Sequence, residues 1–372
     1  TAFAGALLCV ALHPAMAGSD EWFLIVSSVG LATLLIGAFI AMFQQDLKGL
    51  LAYSTISHLG LITLLFGMGT EMALVAGVFH ILNHATFKAS LFMAAGIIDH
   101  ETGTRDFRRL NGLAKYMPIT AALAIAASLA MAGVPLFNGF LSKEMFLTET
   151  LNVPTVAGLH LLIPGLAVLA AAFSVAYSIR FIHDVFFGGE PKCVNGTPHE
   201  PPRFMRVPVE VLVLIVLAVG LLPNLTIGEL LAVGAQGALN APLPEYTLAI
   251  WHGFNVPLLM SVIGLVGGIA LWAFLHRLGA LRADPRGSFG KRAFDGGLRL
   301  LVAVAGLLTR VLESGRLSAY LGWTLAATVA AGAVAFAGEG AFGARETLPA
   351  GPGAWALWAV VVIATLAVAF GF

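Results

Sequence analysis

Apolar segments long enough to cross a lipid bilayer recur along the whole 372-residue chain. A membrane-spanning helix needs about 20 mostly apolar residues. The apolar runs show no strand-like alternation, so they predict helices rather than a β-barrel. We predict about ten spans, one of them discontinuous. They are residues 2–17, 22–43, 47–66, 72–98, 117–148, 157–186, 207–222, 254–275, 317–337 and 354–372. The fold class is therefore an all-α integral membrane protein.

Composition supports this class, because 59% of the residues are hydrophobic and only 11% are charged. Soluble domains carry about 25% charged residues. The formal net charge of zero gives no argument for nucleic-acid binding. Cys9 and Cys193 lie far apart in the sequence, which implies neither a disulfide framework nor a thiolate metal site. The chain starts at Thr1 without Met and stops within an apolar run, so we expect a fragment.

Basic residues concentrate in alternate loops, which orients the predicted spans. Loops 99–116, 188–206 and 276–295 are rich in Lys and Arg. The loops between them lack both residue types; they are 13–21, 67–71, 149–156 and 223–253. Basic loops stay in the cytoplasm. A further span at 294–317 would invert this order, so we predict that it is an amphipathic helix on the cytoplasmic face.

Three titratable residues share one face of the fourth predicted span. His80, His84 and Lys88 lie at positions i, i+4 and i+8 in the stretch VFHILNHATFKASLFMAA, residues 78–95. On a helix, successive groups are roughly 6 Å apart along the axis. Ionisable residues at membrane depth are costly and indicate a function. A proton relay suits them, although hops of this length need intervening water.

Metal and haem sites are weaker interpretations of the same residues. The His80/His84 spacing can bind zinc, but no Glu stands at the metalloprotease position and no third ligand is evident. Two-histidine haem ligation would need a facing histidine such as His58 or His160, without a specific pattern. We therefore predict no metal and no cofactor.

The fifth predicted span contains a break at AGVPLFNG, residues 132–139. Gly133, Pro135 and Gly139 disfavour a continuous helix, and discontinuous helices in transporters carry ion sites. Lys143 and Glu144 follow within about one turn. An ordinary proline kink with a snorkelling Lys143 stays open as an alternative.

Two charged residues lie at the start of the third predicted span. Asp46 and Lys48 lie beside its first turn. Asp46 fits a helix cap and Lys48 a headgroup contact.

Three stretches in fixed order resemble the antiporter-like subunits shared by respiratory NADH:quinone oxidoreductase and multisubunit Mrp-type Na⁺/H⁺ antiporters. They are QQDLKGLLAYSTISHLG (44–60), FHILNHATFKASLFMAAG (79–96) and AGVPLFNGFLSKE (132–144). Further stretches are similar to the A-type subunit of the Mrp antiporter. They are DHETGTRD (99–106), PHEPPRFMRVPVEVLVL (198–214), GLLPNLTIGELL (220–231) and PLPEYTLAIWHGFNVPLLMS (242–261).

The resemblance implies a domain order. It implies the truncated end of a preceding repeat at 1–21 and a second five-helix antiporter-like repeat at 22–187. A C-terminal membrane extension at 188–372 would include a lateral-type helix near 294–317. The first repeat, with its own lysine, is not in this sequence.

The resemblance also implies a relay and a function. The predicted proton relay consists of His80, His84, Lys88, Lys143, Glu144 and Lys48. The function is a Na⁺/H⁺ antiporter subunit of a bacterial plasma membrane, not an enzyme, working with other subunits in a hetero-oligomeric complex. One alternative is a proton-pumping subunit of NADH:quinone oxidoreductase, and another is a purely structural scaffold.

Overall fold

The computed structural model describes residues 11–153, 159–192, 196–239, 241–251, 253–282, 289–312, 317–336 and 351–370. The chain divides into two compact units, Thr1–Asp284 and Pro285–Phe372. Every regular element in the described ranges is helical. The predicted all-α class is therefore confirmed. The predicted repeat boundaries, before residue 22 and after residue 187, fall inside the first unit and stay predictions.

The first unit is a bundle of long helices joined by short connections. A helical turn at 11–16 precedes α1. The helices are α1 (Asp20–Phe43), α2 (Leu47–Gly67), α3 (Glu71–Thr102), α4 (Pro118–Ala132), α5 (Asn138–Leu151), α6 (Leu159–Phe186), α7 (Arg203–Leu221), α8 (Pro223–Thr226), α9 (Gly228–Leu239) and α10 (Val256–Arg277). Short 3₁₀ helices lie at Leu113–Lys115 and Ala280–Arg282.

Among the described residues, 6 helices are long and apolar enough to cross a membrane by length and composition. They are α1, α2, α3, α6, α7 and α10. The predicted span 117–148 is instead two shorter helices, α4 and α5, separated by the predicted break. Most of the predicted span 2–17 lies outside the described residues. The predicted discontinuous helix is confirmed, whereas the count of about ten spans stays a prediction.

Local sequence signals explain where these helices begin. The side chains of Ser19, Asp46 and Thr70 accept hydrogen bonds from backbone N–H groups in the first turns of α1, α2 and α3. Such caps satisfy donors that the first helical turn leaves unpaired. The predicted cap at Asp46 is present, with Oδ1 2.7 Å from Gly49 N. Gly103 ends α3 in a left-handed conformation, with φ 68°.

Helices α1 and α2 pack backbone against backbone. A Cβ atom on Gly60 would lie 2.3 Å from Leu34 N, and one on Gly30 would lie 2.4 Å from Leu64 N. Small residues allow this approach between membrane helices, where packing replaces the hydrophobic effect as the driving force. The contact fixes α2, which carries His58 toward the centre of the bundle.

The segment 223–253, predicted as a simple loop, instead contains two helices. They are α8 and α9, and α9 packs on α3. Leu231, Ala235 and Leu239 bury one side of α9. With 12 residues, α9 is shorter than the roughly 20 residues that a membrane span needs, so it was not predicted as a span.

The second unit contains α11 (Phe289–Leu312), α12 (Leu317–Phe336) and α13 (Pro352–Phe370). The predicted amphipathic segment 294–317 overlaps α11, which begins earlier, while residues 313–316 lie outside the described residues. Leu298, Leu300 and Leu301 of α11 are exposed. Helices α12 and α13 pack on each other and expose most of their described apolar side chains, as lipid-facing helices do.

Candidate functional site

The break between α4 and α5 creates the polar centre of the first unit. Gly133 (φ 84°) and Leu136 (φ 76°) adopt left-handed backbone conformations on either side of Pro135. Gly139 begins α5 so close to α4 that a Cβ atom there would lie 1.9 Å from the Ala130 carbonyl oxygen. Only glycine fits at that position without movement of the backbone.

Lys143 of α5 turns back toward this break. Its buried Nζ donates hydrogen bonds to the carbonyl oxygens of Met131 (2.7 Å) and Ala132 (3.0 Å) at the end of α4. It also donates to Ser174 Oγ of α6 at 2.9 Å. The final carbonyls of a helix lack intrahelical partners and carry partial negative charge. The ammonium group therefore stabilises the interrupted end of α4.

A continuous row of buried polar groups runs from Lys143 to α3. Ser174 Oγ donates to the Tyr177 hydroxyl oxygen at 3.0 Å, and that oxygen lies 3.3 Å from His58 Nε2. His58 Nδ1 lies 2.9 Å from His80 Nε2. Each step is within hydrogen-bond distance or close to its limit. We call Lys143, Ser174, Tyr177, His58 and His80 the polar row.

The polar row closes on itself and borders a small cavity. His80 Nδ1 lies 3.0 Å from Ser142 Oγ, the residue next to Lys143. The cavity, about 30 Å³, is lined in part by His58, Lys143 and Ser174. A cavity needs roughly 10–15 Å³ to hold one water. A water molecule therefore fits beside the polar row.

His84 and Lys88 lie next to the polar row. The His58 ring centroid is 5.2 Å from those of both His80 and His84. The centroids of His80 and His84 are 6.2 Å apart. Among the described residues, buried His84 Nε2 has no hydrogen-bond partner. The His58 ring thus packs against both rings and lies within hydrogen-bond distance of His80.

Lys88 meets the same helix end as Lys143. Its buried Nζ hydrogen-bonds to Ser54 Oγ and lies 3.4 Å from the Leu51 carbonyl oxygen and 3.3 Å from Met131 Sδ. Met131 contacts both ammonium groups, through sulfur for Lys88 and through its carbonyl oxygen for Lys143. No carboxylate among the described residues lies within ion-pair distance of Lys88 or Lys143.

The structure brings neither Lys48 nor Glu144 into the polar row. Lys48 Nζ pairs with Asp99 Oδ2 at 2.8 Å. Ten residues of helix separate Lys48 from His58, about 15 Å along the axis. Buried Glu144 lines a cavity of about 690 Å³ that Glu149 and Glu245 also border.

Asp46, Lys48, Asp99 and Arg105 form what we call the loop cluster. Arg105 Nε lies 3.3 Å from Asp46 Oδ2, and Leu47 N donates to the Arg105 carbonyl oxygen at 2.9 Å. In the adjoining loop, hydrogen bonds from Arg108 hold the pKa of Asp106 below its usual range. Asp46 and Lys48 lie at the start of α2, whereas Asp99 near the end of α3 and Arg105 after it belong to the first predicted cytoplasmic loop.

Three residues of α6 that organise this site, and His58 of α2, were not among the predicted relay residues. Ser174 and Tyr177 complete the polar row, and both lie in an apolar segment taken only as a span. Arg180, one turn further along α6, is buried and donates to the carbonyl oxygens of Met42 and Leu281. The spacing of these three residues, i, i+3 and i+6, is the signal that predicts one polar face on α6.

The sequence of this chain is similar to those of membrane antiporter proteins. Residues 1–168 match a family model described as NADH:quinone oxidoreductase/Mrp antiporter, TM. A probable K⁺/H⁺ antiporter A/B subunit of Rhizobium meliloti is 54% identical over 83% of this chain and 31% of its own length. The Na⁺/H⁺ antiporter A subunit of Alkalihalophilus pseudofirmus is 34% identical over 99% of this chain and 49% of its own length.

A solved structure agrees with these relatives. A chain of the Mrp complex from Dietzia sp. DQ12-45-1b aligns with a TM-score of 0.70 and 32% identity, covering 98% of this chain and 39% of that one. The chain thus spans at most about half the length of these two curated relatives. The predicted family and the multi-pass bacterial plasma membrane location are confirmed. This chain is similar to the Mrp antiporter proteins, and within them to the A-type subunits.

Proposed function

We propose that this chain carries part of the proton path of a monovalent cation/proton antiporter. The single observation that supports the proposal most is the polar row, buried hydrogen-bonding groups that join the lysine at a helix break to a histidine on another helix. Buried ionisable groups at membrane depth are costly, and proton relays are one recognised reason to keep them. Lys143, Tyr177, His58 and His80 are the titratable members of the polar row.

The proposed path uses short proton hops through hydroxyl and imidazole groups. Ser174 and Tyr177 carry hydroxyl groups that both donate and accept hydrogen bonds. His58 presents one ring nitrogen to Tyr177 and the other to His80. Neutral imidazole has one donor and one acceptor nitrogen, so it can accept a proton on one side and release it on the other.

Lys143 would couple this path to the shape of the broken helix. In its charged form it donates to two carbonyl oxygens at the end of α4. Loss of the proton would weaken these contacts, because charge-assisted hydrogen bonds are roughly twice as strong as neutral ones. Protonation of Lys143 and the geometry of the break are therefore linked in the proposed mechanism. Lys88, which touches Met131, would respond to the same movement.

The proposed cation is monovalent, either Na⁺ or K⁺. The relatives that support this proposal carry antiporter names for one ion or the other, so both belong in the assay. The proposed partners are the other subunits of a hetero-oligomeric membrane complex. The coarser conclusion is a transporter component, and we propose that it catalyses no chemical conversion. Copurification with flavin and iron–sulfur subunits would instead support a proton-pumping part of an NADH:quinone oxidoreductase.

The test is a Lys143→Ala substitution in the full-length protein, expressed with its partner subunits. Proton movement driven by Na⁺ or K⁺ is measured in everted membrane vesicles. We expect a loss of about 100-fold or more, within the range for removing a proton-transfer group. Lys115→Ala is the matched control, because Lys115 is exposed and pairs with Glu190 at 3.3 Å. Normal exchange by an assembled Lys143→Ala complex would overturn the proposal.

A further inference from the structure

Three side chains with metal-binding chemistry converge where α6 and α10 end. His183, Asp184 and His276 each offer one ligand atom, and these atoms all lie within 4.8 Å of one another. All three residues are partly buried. His183 Nδ1 lies 2.9 Å from Asp184 Oδ1. None of them takes part in the polar row.

We propose that His183, Asp184 and His276 form a site for a divalent transition-metal ion of the zinc class. Two imidazoles and one carboxylate suit zinc, which takes nitrogen ligands at about 2.0–2.1 Å and carboxylate oxygen at about 2.0–2.2 Å. Such bond lengths in a tetrahedral site place ligand atoms roughly 3.4 Å apart. The three ligand atoms, all within 4.8 Å of one another, would move closer together around a bound ion.

The two helices that carry the site pack closely on each other, which favours metal binding. Helix α10 packs closely on α6, since a Cβ atom on Gly268 would lie 2.5 Å from the Ala172 carbonyl oxygen. The Trp272 ring packs against both histidines, with its centroid 5.0 Å from that of His183 and 5.3 Å from that of His276, and the two histidine centroids are 5.0 Å apart. Side chains held by such packing lose little freedom when they bind an ion.

Arg180 orients the carboxylate. Its Nε lies 3.4 Å from Asp184 Oδ2, which leaves Oδ1 on the side of His183. Residues that hold the ligands in this way tune metal affinity. The positive guanidinium also weakens attraction for any cation. Ca²⁺ prefers 6–8 oxygen ligands, so this nitrogen-rich set selects a borderline metal instead.

Solvent can reach the site and supply a further ligand. Asp184 and Arg180 border a cavity of about 500 Å³ that is also lined by Asn111, Glu190 and Lys192. Zinc sites with three protein ligands keep a water in the fourth position. A bound metal ion would tie the ends of α6 and α10 together, outside the polar row.

The experiment titrates Zn²⁺ into the detergent-purified full-length protein, without a polyhistidine tag, in competition with a chelating dye. We expect His183→Gln and His276→Gln each to weaken zinc binding by at least about tenfold. His100→Gln is the matched control, because His100 is exposed and hydrogen-bonds to Glu101 at 3.0 Å. Equal zinc binding by all variants, or none by the folded parent protein, would overturn the site.

A second measurement covers variants that fold poorly. Cu²⁺ quenches tryptophan fluorescence at close range, and Trp272 lies beside both histidines. We expect the parent protein to lose fluorescence on Cu²⁺ addition at equimolar concentration and a Trp272→Phe variant to lose distinctly less. Quenching that is identical in both proteins would contradict binding at this site. Because neither assay measures transport, failure of the metal site leaves the proposed antiport untouched.

Discussion

The polar row and the loop cluster hold lysine side chains in opposite environments. In the loop cluster, Lys48 is partly exposed, with 36% of its side chain accessible, and pairs with a carboxylate at 2.8 Å. In the polar row, Lys143 is buried and is held by two backbone carbonyls and one hydroxyl. Both regions contain lysine, yet only the loop cluster supplies an opposite charge.

This difference separates side chains that stay charged from side chains that can gain and lose a proton. A partly exposed ion pair is solvated whether or not it forms, and it contributes about 0–1 kcal/mol. A buried ammonium without a carboxylate is stabilised only by neutral dipoles. The free energies of its charged and neutral forms therefore differ less than they would beside an opposite charge. The polar row therefore suits proton transfer, whereas the loop cluster suits a static connection between α2 and the segment after α3.

The largest effect on transport is expected for His58, a member of the polar row. A His58→Gln variant keeps hydrogen-bonding capacity but cannot accept and release a proton at neutral pH. We expect cation-driven proton movement to fall about 100-fold, the scale expected for Lys143→Ala. A Ser57→Ala control removes only a hydroxyl that donates to the Leu34 carbonyl oxygen at 2.9 Å. If His84→Gln abolishes exchange while His58→Gln preserves it, the path follows α3 alone.

Gly139 tests the break as a structural element. Alanine there would place Cβ 1.9 Å from the Ala130 carbonyl oxygen, so the backbone must move. Overpacking of this kind costs about 1–3 kcal/mol. We expect Gly139→Ala to lower the temperature at which the detergent-solubilised protein aggregates. Gly237→Ala is the control, because a Cβ there meets no atom within 4 Å. Equal heat resistance of both variants would argue against close packing at the break.

The smallest effect is expected in the loop cluster. Lys48→Ala removes a partly exposed ion pair and should change stability by less than about 1 kcal/mol. We expect vesicle exchange by Lys48→Ala to stay within about twofold of the parent, because Lys48 and His58 are separated by about 15 Å along the axis of α2. Loss of exchange on the scale of the His58 variant would place Lys48 in the proton path, as the family resemblance implies.

Local signals predicted the helices and the break, because hydropathy, proline and glycine act over a few residues. They also predicted that His80, His84 and Lys88 share one face of α3. These local signals could not predict contacts between helices. His58 reaches His80 because α1 fixes α2 through close glycine contacts, and no pattern within α2 alone specifies that approach. Helix α9 was missed because its 12 residues fall below the length of a span.

The resemblance to Mrp-type antiporters is supported, whereas its assignment of Lys48 to the relay stays a prediction. It grouped Lys48 with Lys143, although the structure separates them, and it drew no attention to Ser174 or Tyr177. A polar face on α6 is visible in the sequence once one asks which residues of a buried helix carry hydroxyl groups. Which of those hydroxyls touches His58 depends on the packing of α6 against α2 and α5.

Tyr177→Phe is the most direct test of the polar row, because it deletes one hydroxyl from the middle of the row and keeps the packed ring. The measurement is Na⁺- or K⁺-driven proton movement in everted vesicles, with complex assembly checked in the same membranes. Ser178→Ala is the control, since its hydroxyl donates to the Ser174 carbonyl oxygen at 2.7 Å. The proposed path predicts that exchange by Tyr177→Phe falls at least about tenfold while Ser178→Ala stays near normal. Normal exchange by a fully assembled Tyr177→Phe complex would contradict proton transfer along the polar row.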